Sequence, residues 1–193
     1  MAPVAPSRLT FTPLHPTFGA ECDGVDFSQL VHSDTIEEIR SALSRYGVLV
    51  FRRAQLDDAR HVAFARAFGE LDDSTPYIKA GRKHRLAPYT ELFDVSNLDD
   101  DGELVQPDSL RYELGLGNTL FHVDSAFNPR RAGISILRAH ELPPHSTGGA
   151  TAFADTRTAY ADLSETMKDS IQQTCQQAGH PARSQKPAGP GVL

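Results

Sequence analysis

The chain has no tryptophan and only two methionines and two cysteines among its 193 residues. Cys22 and Cys175 lie far apart and form no Cys-x-x-Cys spacing, so the sequence offers no cysteine pair of the redox or zinc-binding type. A disulfide framework is not expected from two such cysteines, because disulfides persist in oxidising compartments and small secreted domains use many of them. The sequence therefore predicts a reduced, cytoplasmic setting.

Positive charge is also scarce, because the chain has 19 Lys and Arg residues but 25 Asp and Glu residues, which gives a net charge of −6. Nucleic acids and anionic membrane surfaces bind clustered positive charge, so neither is expected as a partner. No apolar run approaches the length needed to span a bilayer. The first eight residues lack the apolar centre of a secretory signal.

The length fits one domain that is large enough to bury a core. Its first part follows a helix–strand–helix pattern. Asp34 with Glu37 three residues on resembles a capping box and predicts a helix that ends at Gly47. The apolar run 48–51 predicts a buried strand, and a second helix is expected from about Asp57 to Gly69.

Strand-like composition is confined to short stretches that are separated by turn residues. The segments concerned are 19–27, 91–97, 117–127, 134–140 and 151–153. Asp155 or Thr156 then caps a further helical stretch. Proline, glycine and glutamine dominate from Gln172 onward, and such a composition does not offset the entropy of ordering. We expect one domain over residues 1–171 and a disordered tail over 172–193.

One spacing suggests chemistry, because His122 and Asp124 lie two residues apart in a predicted strand and project to the same face. An imidazole and a carboxylate placed in this way can share a cation, and with a second His they form the facial triad of non-haem Fe(II) oxygenases. The alternative is a strand-end His that is bonded to a turn Asp. His32 and Asp34 share the spacing, and there the helix cap explains the Asp.

The neighbouring residues resemble a known family. Asn118, then His122-Val-Asp124, then the loop Gly148-Gly-Ala-Thr151 are similar to the taurine dioxygenase and 2,4-dichlorophenoxyacetate dioxygenase family of Fe(II)/2-oxoglutarate-dependent enzymes. The resemblance extends from Gly19 to about Met167 and is carried by the segments 47–52, 63–71, 138–143 and 159–164. The amino-acid sequence of residues 121–131 is most similar to that of fungal members of the family.

The resemblance implies a role for each matching position. His122 and Asp124 correspond to two iron ligands, Thr151 to the residue that hydrogen-bonds a 2-oxoglutarate carboxylate, and Asn118 to a position facing the primary substrate. Without the resemblance, Thr151 is equally well a strand residue that satisfies a turn, and Asn118 a turn or strand-end residue. His140 and His145 are expected to be strand and loop residues, not ligands.

The resemblance also implies a fold, a mixed α/β protein in which a double-stranded β-helix, or jelly roll, is flanked by helices. In the family the second iron His and an Arg for the distal 2-oxoglutarate carboxylate lie well downstream of the Asp. Here the late candidates are His180 and Arg183, which lie in the predicted tail. The sequence therefore predicts an incomplete jelly roll, in a protein that is truncated at its C-terminal end relative to the family.

The favoured function is oxidation of a C–H bond in a small organic substrate, with Fe(II) as the metal and O2 and 2-oxoglutarate as co-substrates. Secondary metabolism is the expected context, and a homo-oligomer is left open. The competing hypothesis is a catalytically inactive, dioxygenase-like protein with a binding or regulatory role. An unrelated metal-binding jelly roll is a third alternative, but it needs ligands that the sequence does not display.

Overall fold

The computed structural model describes residues 9–73, 75, 78, 83–126 and 130–177. Its strands are β1 (Thr10–Pro13), β2 (Ala20–Asp23) and β3 (Leu49–Val50). Its helices are α1 (Ser33–Tyr46), α2 (Asp58–Arg66), α3 (Leu110–Leu116), a 3-10 turn (Gly117–Thr119), α4 (Thr156–Ala161) and α5 (Glu165–Gln177).

The three strands form one sheet in the order β1-β2-β3. β1 pairs with β2 in antiparallel fashion, with Phe11 opposite Cys22, whereas β2 pairs with β3 in parallel, with Ala20 opposite Leu49. Parallel neighbours need a crossover, and α1 supplies it. The beginning of the chain is therefore a hairpin followed by a β–α–β unit, and the order α1, β3, α2 within it is the helix–strand–helix pattern that the sequence predicted.

The core lies between this sheet and the first two helices. Phe27 and Phe64 meet edge to face with ring centroids 5.1 Å apart, and Phe51 and Phe68 each add a further edge-to-face contact. Such pairs contribute about 0.5–1.5 kcal/mol each beyond the apolar area that they bury. Ile39 of α1 is 1% exposed at the centre. The core residues are Leu9, Cys22, Phe27, Ile36, Ile39 and Phe64.

The end of α1 is as predicted, but its beginning is not. Gly47 has φ +75°, and its N–H donates to the Leu43 carbonyl, which confirms the glycine stop. The predicted cap at Asp34 is wrong, because the helix begins at Ser33 and His32 is the N-cap. The His32 ring accepts a hydrogen bond from the Asp34 N–H at 3.3 Å. A ring nitrogen thus takes the place that a carboxylate was expected to fill.

For α2 the predicted start is confirmed. Asp57 is the N-cap, and its side chain accepts a hydrogen bond from the Arg60 N–H at 2.8 Å. The α-helix ends at Arg66, and the N–H groups of Ala67, Phe68 and Gly69 bond to carbonyls three residues back. The last turn is therefore tightened, as is common at helix ends.

The predicted strands after residue 90 are not formed. Within the described residues of this region the β-pairing is a single antiparallel bridge between Leu98 and Leu104. Residues 91–97, 134–140 and 151–153 have no strand partner there. A strand exists only through hydrogen bonds to a neighbour. The prediction of strands in these segments is therefore not met in the described residues, because local composition carries no information about strand partners.

These observations bear on two wider predictions from the sequence, the jelly roll and the disordered tail. A jelly roll needs two sheets, and the described residues form one sheet of three short strands. The helix α5 continues to Gln177, into the range where the tail was predicted, and the division between residues 171 and 172 stays a prediction. Glutamine is a good helix former, so its abundance there favours helix as well as low complexity. The remainder of the predicted tail, 178–193, lies outside the described residues.

Large apolar side chains are exposed mainly in the later part of the chain. Before Phe93, the described residues expose Leu14 and Leu30 in this class. The later ones include Leu104, Leu110, Leu116, Leu120, Phe121, Leu137, Leu142, Phe153 and Met167. The buried core therefore belongs to residues 9–92. None of the described helices has the length and apolar character needed to cross a membrane.

Candidate functional site

The structure brings the predicted metal pair together. The His122 Nε2 lies 3.3 Å from Oδ1 of Asp124, and roughly half of each side chain is exposed. The other ring nitrogen of His122, Nδ1, is 2.8 Å from the backbone carbonyl oxygen of Leu120. A carbonyl can only accept, so Nδ1 carries the proton in the neutral ring. Nε2 then presents its lone pair towards the carboxylate side.

The pair does not lie on a strand as predicted. Residues 117–119 form the 3-10 turn, 120–123 are irregular, and 124–126 form a turn in which Ser125 has φ +56°. Within the described residues no other segment pairs with 117–126, so the alternation of a strand is absent there. The turn brings the two side chains together instead, and their role as metal ligands stays a prediction.

The distance between the two donors fits a shared ion. Ligand distances near 2.1 Å with a right angle at the metal separate two donor atoms by about 3.0 Å, close to the observed spacing. His122 also has the backbone hydrogen bond that metal-binding histidines use to fix ring orientation. Two ligands make only part of a triad, and the described residues contain no group of three His, Cys, Asp or Glu side chains placed to hold a metal.

The remaining predicted site residues are Asn118, Thr151, His180 and Arg183. Asn118 is in the 3-10 turn with an exposed side chain. Thr151 is exposed in an irregular segment. No hydrogen bond joins Asn118 or Thr151 to the pair in the part of the chain that the structure describes. The late candidates His180 and Arg183 lie outside the described residues.

His140 and His145 were expected not to be ligands. His140 is an exposed residue beside Asp58 and Arg138, with its Nε2 3.7 Å from Oδ1 of Asp58. His145 is exposed in the loop before Thr147. Neither contacts the pair among the residues that the structure describes.

A cavity of about 320 Å³ lies elsewhere, between residues 22–28 and 51–55. Its lining combines the acidic side chains Asp23 and Asp26 with Arg52 and Arg53. Neither His122 nor Asp124 lines it, so the cavity and the candidate metal pair are separate features.

Comparison with known proteins decides the family. The sequence profile described as "Taurine catabolism dioxygenase TauD, TfdA family" matches residues 10–189, nearly the whole chain. The chain belongs to this family. The resemblance inferred from Asn118, His122, Asp124 and Thr151 is thereby confirmed for the family, while the roles of these residues remain predictions.

Several bacterial relatives of the dioxygenase family are similar at about one residue in three. The α-ketoglutarate-dependent 2,4-dichlorophenoxyacetate dioxygenase of Burkholderia sp. (strain RASC) is 35% identical over 159 residues, which is 82% of this chain and 52% of the relative. Pentalenolactone F synthase of Streptomyces avermitilis is 35% identical over 161 residues, 79% of this chain and 47% of that protein. The chain thus spans about half the length of the curated relatives it matches.

A solved structure supports the same placement. The crystal structure of AAD-2 in complex with Mn(II) and N-oxalylglycine superposes with a TM-score of 0.66 at 30% identity, over 86% of this chain and 53% of that protein. The mixed α/β arrangement of the described residues is therefore that of a dioxygenase-family protein.

The sequence did not reveal the residues that surround the pair. The Leu120 carbonyl is a backbone group with no compositional signal. The hydroxyl of Ser125 donates to Oδ2 of Asp72 at 3.0 Å, although the two residues are 53 positions apart. Only the folded protein makes this contact visible, because nothing in either local sequence indicates the other.

Proposed function

We propose that the protein acts as an Fe(II)- and 2-oxoglutarate-dependent dioxygenase that oxidises a C–H bond of a small organic molecule. One observation carries this proposal. In a member of the dioxygenase family, the His122 Nε2 and the Asp124 carboxylate converge to 3.3 Å, and the Leu120 carbonyl oxygen lies 2.8 Å from the other ring nitrogen. This is the arrangement that a short segment needs to supply two ligands to one ion.

His122 and Asp124 would hold the iron, which when bound supplies the redox chemistry with O2 and 2-oxoglutarate. The protein's part is to bind, orient and exclude water. We assign Thr151 to a carboxylate of 2-oxoglutarate and Asn118 to the primary substrate, on the family resemblance. The matched structure of AAD-2 holds Mn(II) and N-oxalylglycine, a divalent metal and a dicarboxylate, which supports this pairing of cofactor and co-substrate.

The substrate class rests on the relatives. Their names specify 2,4-dichlorophenoxyacetate, phenoxypropionate, sulfate esters and a pentalenolactone, all of them small organic molecules. We propose a substrate of this size, with secondary metabolism as the context that the pentalenolactone relative favours. A jelly roll completed around the metal pair is part of the same proposal, and the cytoplasmic location and any homo-oligomer stay predictions from the sequence.

Anaerobic titration with Fe(II) and 2-oxoglutarate tests the proposal. We expect a metal-to-ligand charge-transfer band in the wild type and its loss in His122→Ala and Asp124→Ala. His145→Ala is the matched control, because this histidine is exposed in a loop and has no contact with the pair among the described residues. Thr151→Ala should weaken 2-oxoglutarate binding and leave the affinity for Mn(II) alone unchanged.

The competing function is that of a non-catalytic binding protein. It is favoured by the lack of a third metal-binding side chain beside the pair in the described residues. Under this alternative, Mn(II) or 2-oxoglutarate still binds, but exposure of the Fe(II) complex to O2 with candidate substrates yields no succinate. Formation of succinate that depends on His122 would exclude it.

A further inference from the structure

Two residues that follow the metal pair, Ser125 and Arg138, bond to residues in or near α2. Six residues after the last residue of α2, Asp72 accepts a hydrogen bond from the hydroxyl of Ser125 at 3.0 Å. At the N-terminal end, Arg138 bonds to the Leu56 carbonyl and to the Asp58 carboxylate. Ser125 and Arg138 are therefore each held by a polar contact, Ser125 to a residue after α2 and Arg138 to the N-terminal end of α2.

The contact at Arg138 is largely shielded from water. The side chain is 12% exposed, Nη1 donates to the Leu56 carbonyl at 2.5 Å, and Nη2 forms an ion pair with Asp58. Ile136, two residues before Arg138, packs against the core. Charge-assisted bonds of this kind are stronger than neutral ones, and a planar guanidinium fixes direction as well as distance.

The contact at Ser125 lies directly beside a proposed ligand. Ser125 follows Asp124 and has φ +56°, a left-handed conformation that is unfavourable for a residue with a side chain. Its hydroxyl bond to Asp72 fixes the orientation of the turn in which Asp124 lies. The described residues supply no strand neighbour for 117–126, so sheet hydrogen bonds from them do not hold this backbone in place.

We propose that two acidic residues position the metal pair, Asp72 through its bond to Ser125 and Asp58 through its bond to Arg138. Asp72 and Arg138 are positioning residues and do not touch the ion. This inference rests on the proposed function. A metal site needs its ligands placed to about 0.5 Å, and a pair on a turn without sheet contacts depends on side-chain contacts for that precision.

Binding of Mn(II) alone, measured by electron paramagnetic resonance of the free ion, tests the proposal without turnover. We expect Ser125→Ala to raise the Kd for Mn(II) by about tenfold, the lower end of the effect seen when outer partners of metal ligands are removed. Asp72→Ala should do the same, whereas Asp72→Asn keeps an acceptor oxygen and should bind nearly as the wild type does. The double variant Ser125→Ala/Asp72→Ala should bind Mn(II) no more weakly than Asp72→Ala alone, because the bond between the two residues is already lost in that variant.

Ser135→Ala is the matched control, since Ser135 is exposed on the same segment and has no polar partner in the described part of the protein. It should leave the Kd unchanged. Arg138→Lys keeps the charge but loses the planar guanidinium that bonds to Leu56 and Asp58 at the same time. It should therefore raise the Kd for Mn(II) less than Arg138→Met does. Urea unfolding of every variant separates a loss of folded protein from a loss of position, because a purely structural role would move the unfolding midpoint and not the Kd of the folded fraction.

The outcomes distinguish this inference from the function on which it rests. If His122→Ala binds Mn(II) as well as the wild type does, the metal site itself is refuted. If His122→Ala abolishes binding while Ser125→Ala and Asp72→Ala bind as the wild type does, the metal site stands and the positioning role is overturned.

Discussion

The guanidinium of Arg157 donates a hydrogen bond of 2.9 Å to the backbone carbonyl of Ser44, a residue 113 positions earlier in the sequence. Ser44 lies in the last turn of α1, where carbonyl oxygens have no partner within the helix. The positive charge of Arg157 also complements the negative end of the helix dipole. Because Arg157 belongs to α4, this contact attaches the late helices to the C-terminal end of α1.

Gly47 lies directly beside this contact, and we expect Gly47→Ala to be strongly destabilising. A Cβ there would lie 2.6 Å from Cε2 of Phe18 and 3.0 Å from Nη2 of Arg157, and φ is +75°. The steric clash and the left-handed backbone together should cost roughly 2–4 kcal/mol of unfolding free energy. Urea denaturation followed by circular dichroism measures the loss.

Gly133→Ala is the control for this substitution. No atom of the described residues lies within 4 Å of a Cβ built there. We expect a change within about 0.5 kcal/mol, as for surface positions without special contacts. Equal stabilities of the two variants would contradict the described packing of Phe18 and Arg157 around Gly47.

Asp155 caps α4, and its removal should destabilise that helix. Its carboxylate accepts hydrogen bonds from the Arg157 side chain, the Arg157 N–H and the Thr158 hydroxyl. Led by the Arg157 side-chain bond, these contacts lower the pKa of Asp155 from 3.8 to about 2. Asp155→Ala should cost about 1 kcal/mol at neutral pH.

The pH dependence of this contribution has a definite sign. The folded-state pKa is lower than the unfolded one, so the stabilisation is complete above about pH 4 and is lost as the pH falls towards 2. The difference in unfolding free energy between wild type and Asp155→Ala should therefore shrink in acid. Asp162→Asn, at the other end of α4, should be neutral or slightly stabilising, since a carboxylate is unfavourable at a helix C-terminus.

His61 is a buried base whose protonation should also destabilise the folded state in acid. Burial lowers its pKa below the usual 6.5, and the nearby Arg138 guanidinium lowers it further, while the Ile136 carbonyl and Asp58 oppose this. The folded state therefore disfavours the charged ring, and the protein should lose stability as the pH falls below 6.5. His61→Gln cannot take up a proton, so its unfolding midpoint should decline less between about pH 8 and 5. Parallel profiles would show that His61 is not the group responsible.

Cys22 should be unreactive in the folded protein. It is buried beside Ile39 and Phe64 in the core, and burial, with Asp23 and Glu38 nearby, raises its pKa to about 12. The thiolate is the reactive form, so alkylation by iodoacetamide at about pH 8 should be about a hundredfold or more slower in buffer than in urea. The Cys175→Ser background isolates the signal, and equal rates in the two solvents would contradict the burial of this thiol.

Local signals in the sequence predicted the structure well wherever one residue decides the outcome. Gly47 ended α1 and Asp57 began α2 because each satisfies a neighbouring backbone group through its own conformation or side chain. The cap of α1 was predicted wrongly because the preference for Asp at an N-cap favours Asp34, whereas the helix begins one residue earlier and the His32 ring accepts the bond.

Signals that depend on a distant partner were not predictable. Residues 134–140 alternate in exposure as a strand would, yet no neighbour among the described residues pairs with them. For the site, the His-x-Asp spacing indicated the pair, whereas the bonds from Ser125 to Asp72 and from Arg138 to Asp58 join residues 53 and 80 positions apart. Such contacts follow from the fold, and short-range patterns do not encode them.

Because apolar side chains are buried mainly in the first part of the chain, the later part should be cleaved by proteases more readily. Residues 9–68 contain the phenylalanines that pack edge to face in the core. By contrast, Leu104 and Leu137 expose more than half of their surface to water, and Phe153 exposes nearly half. Segments with little buried area open locally at low cost, and cleavage follows opening. Brief trypsin treatment should therefore first trim the later region, and the fragment that persists should begin near the amino terminus and retain α1 and α2.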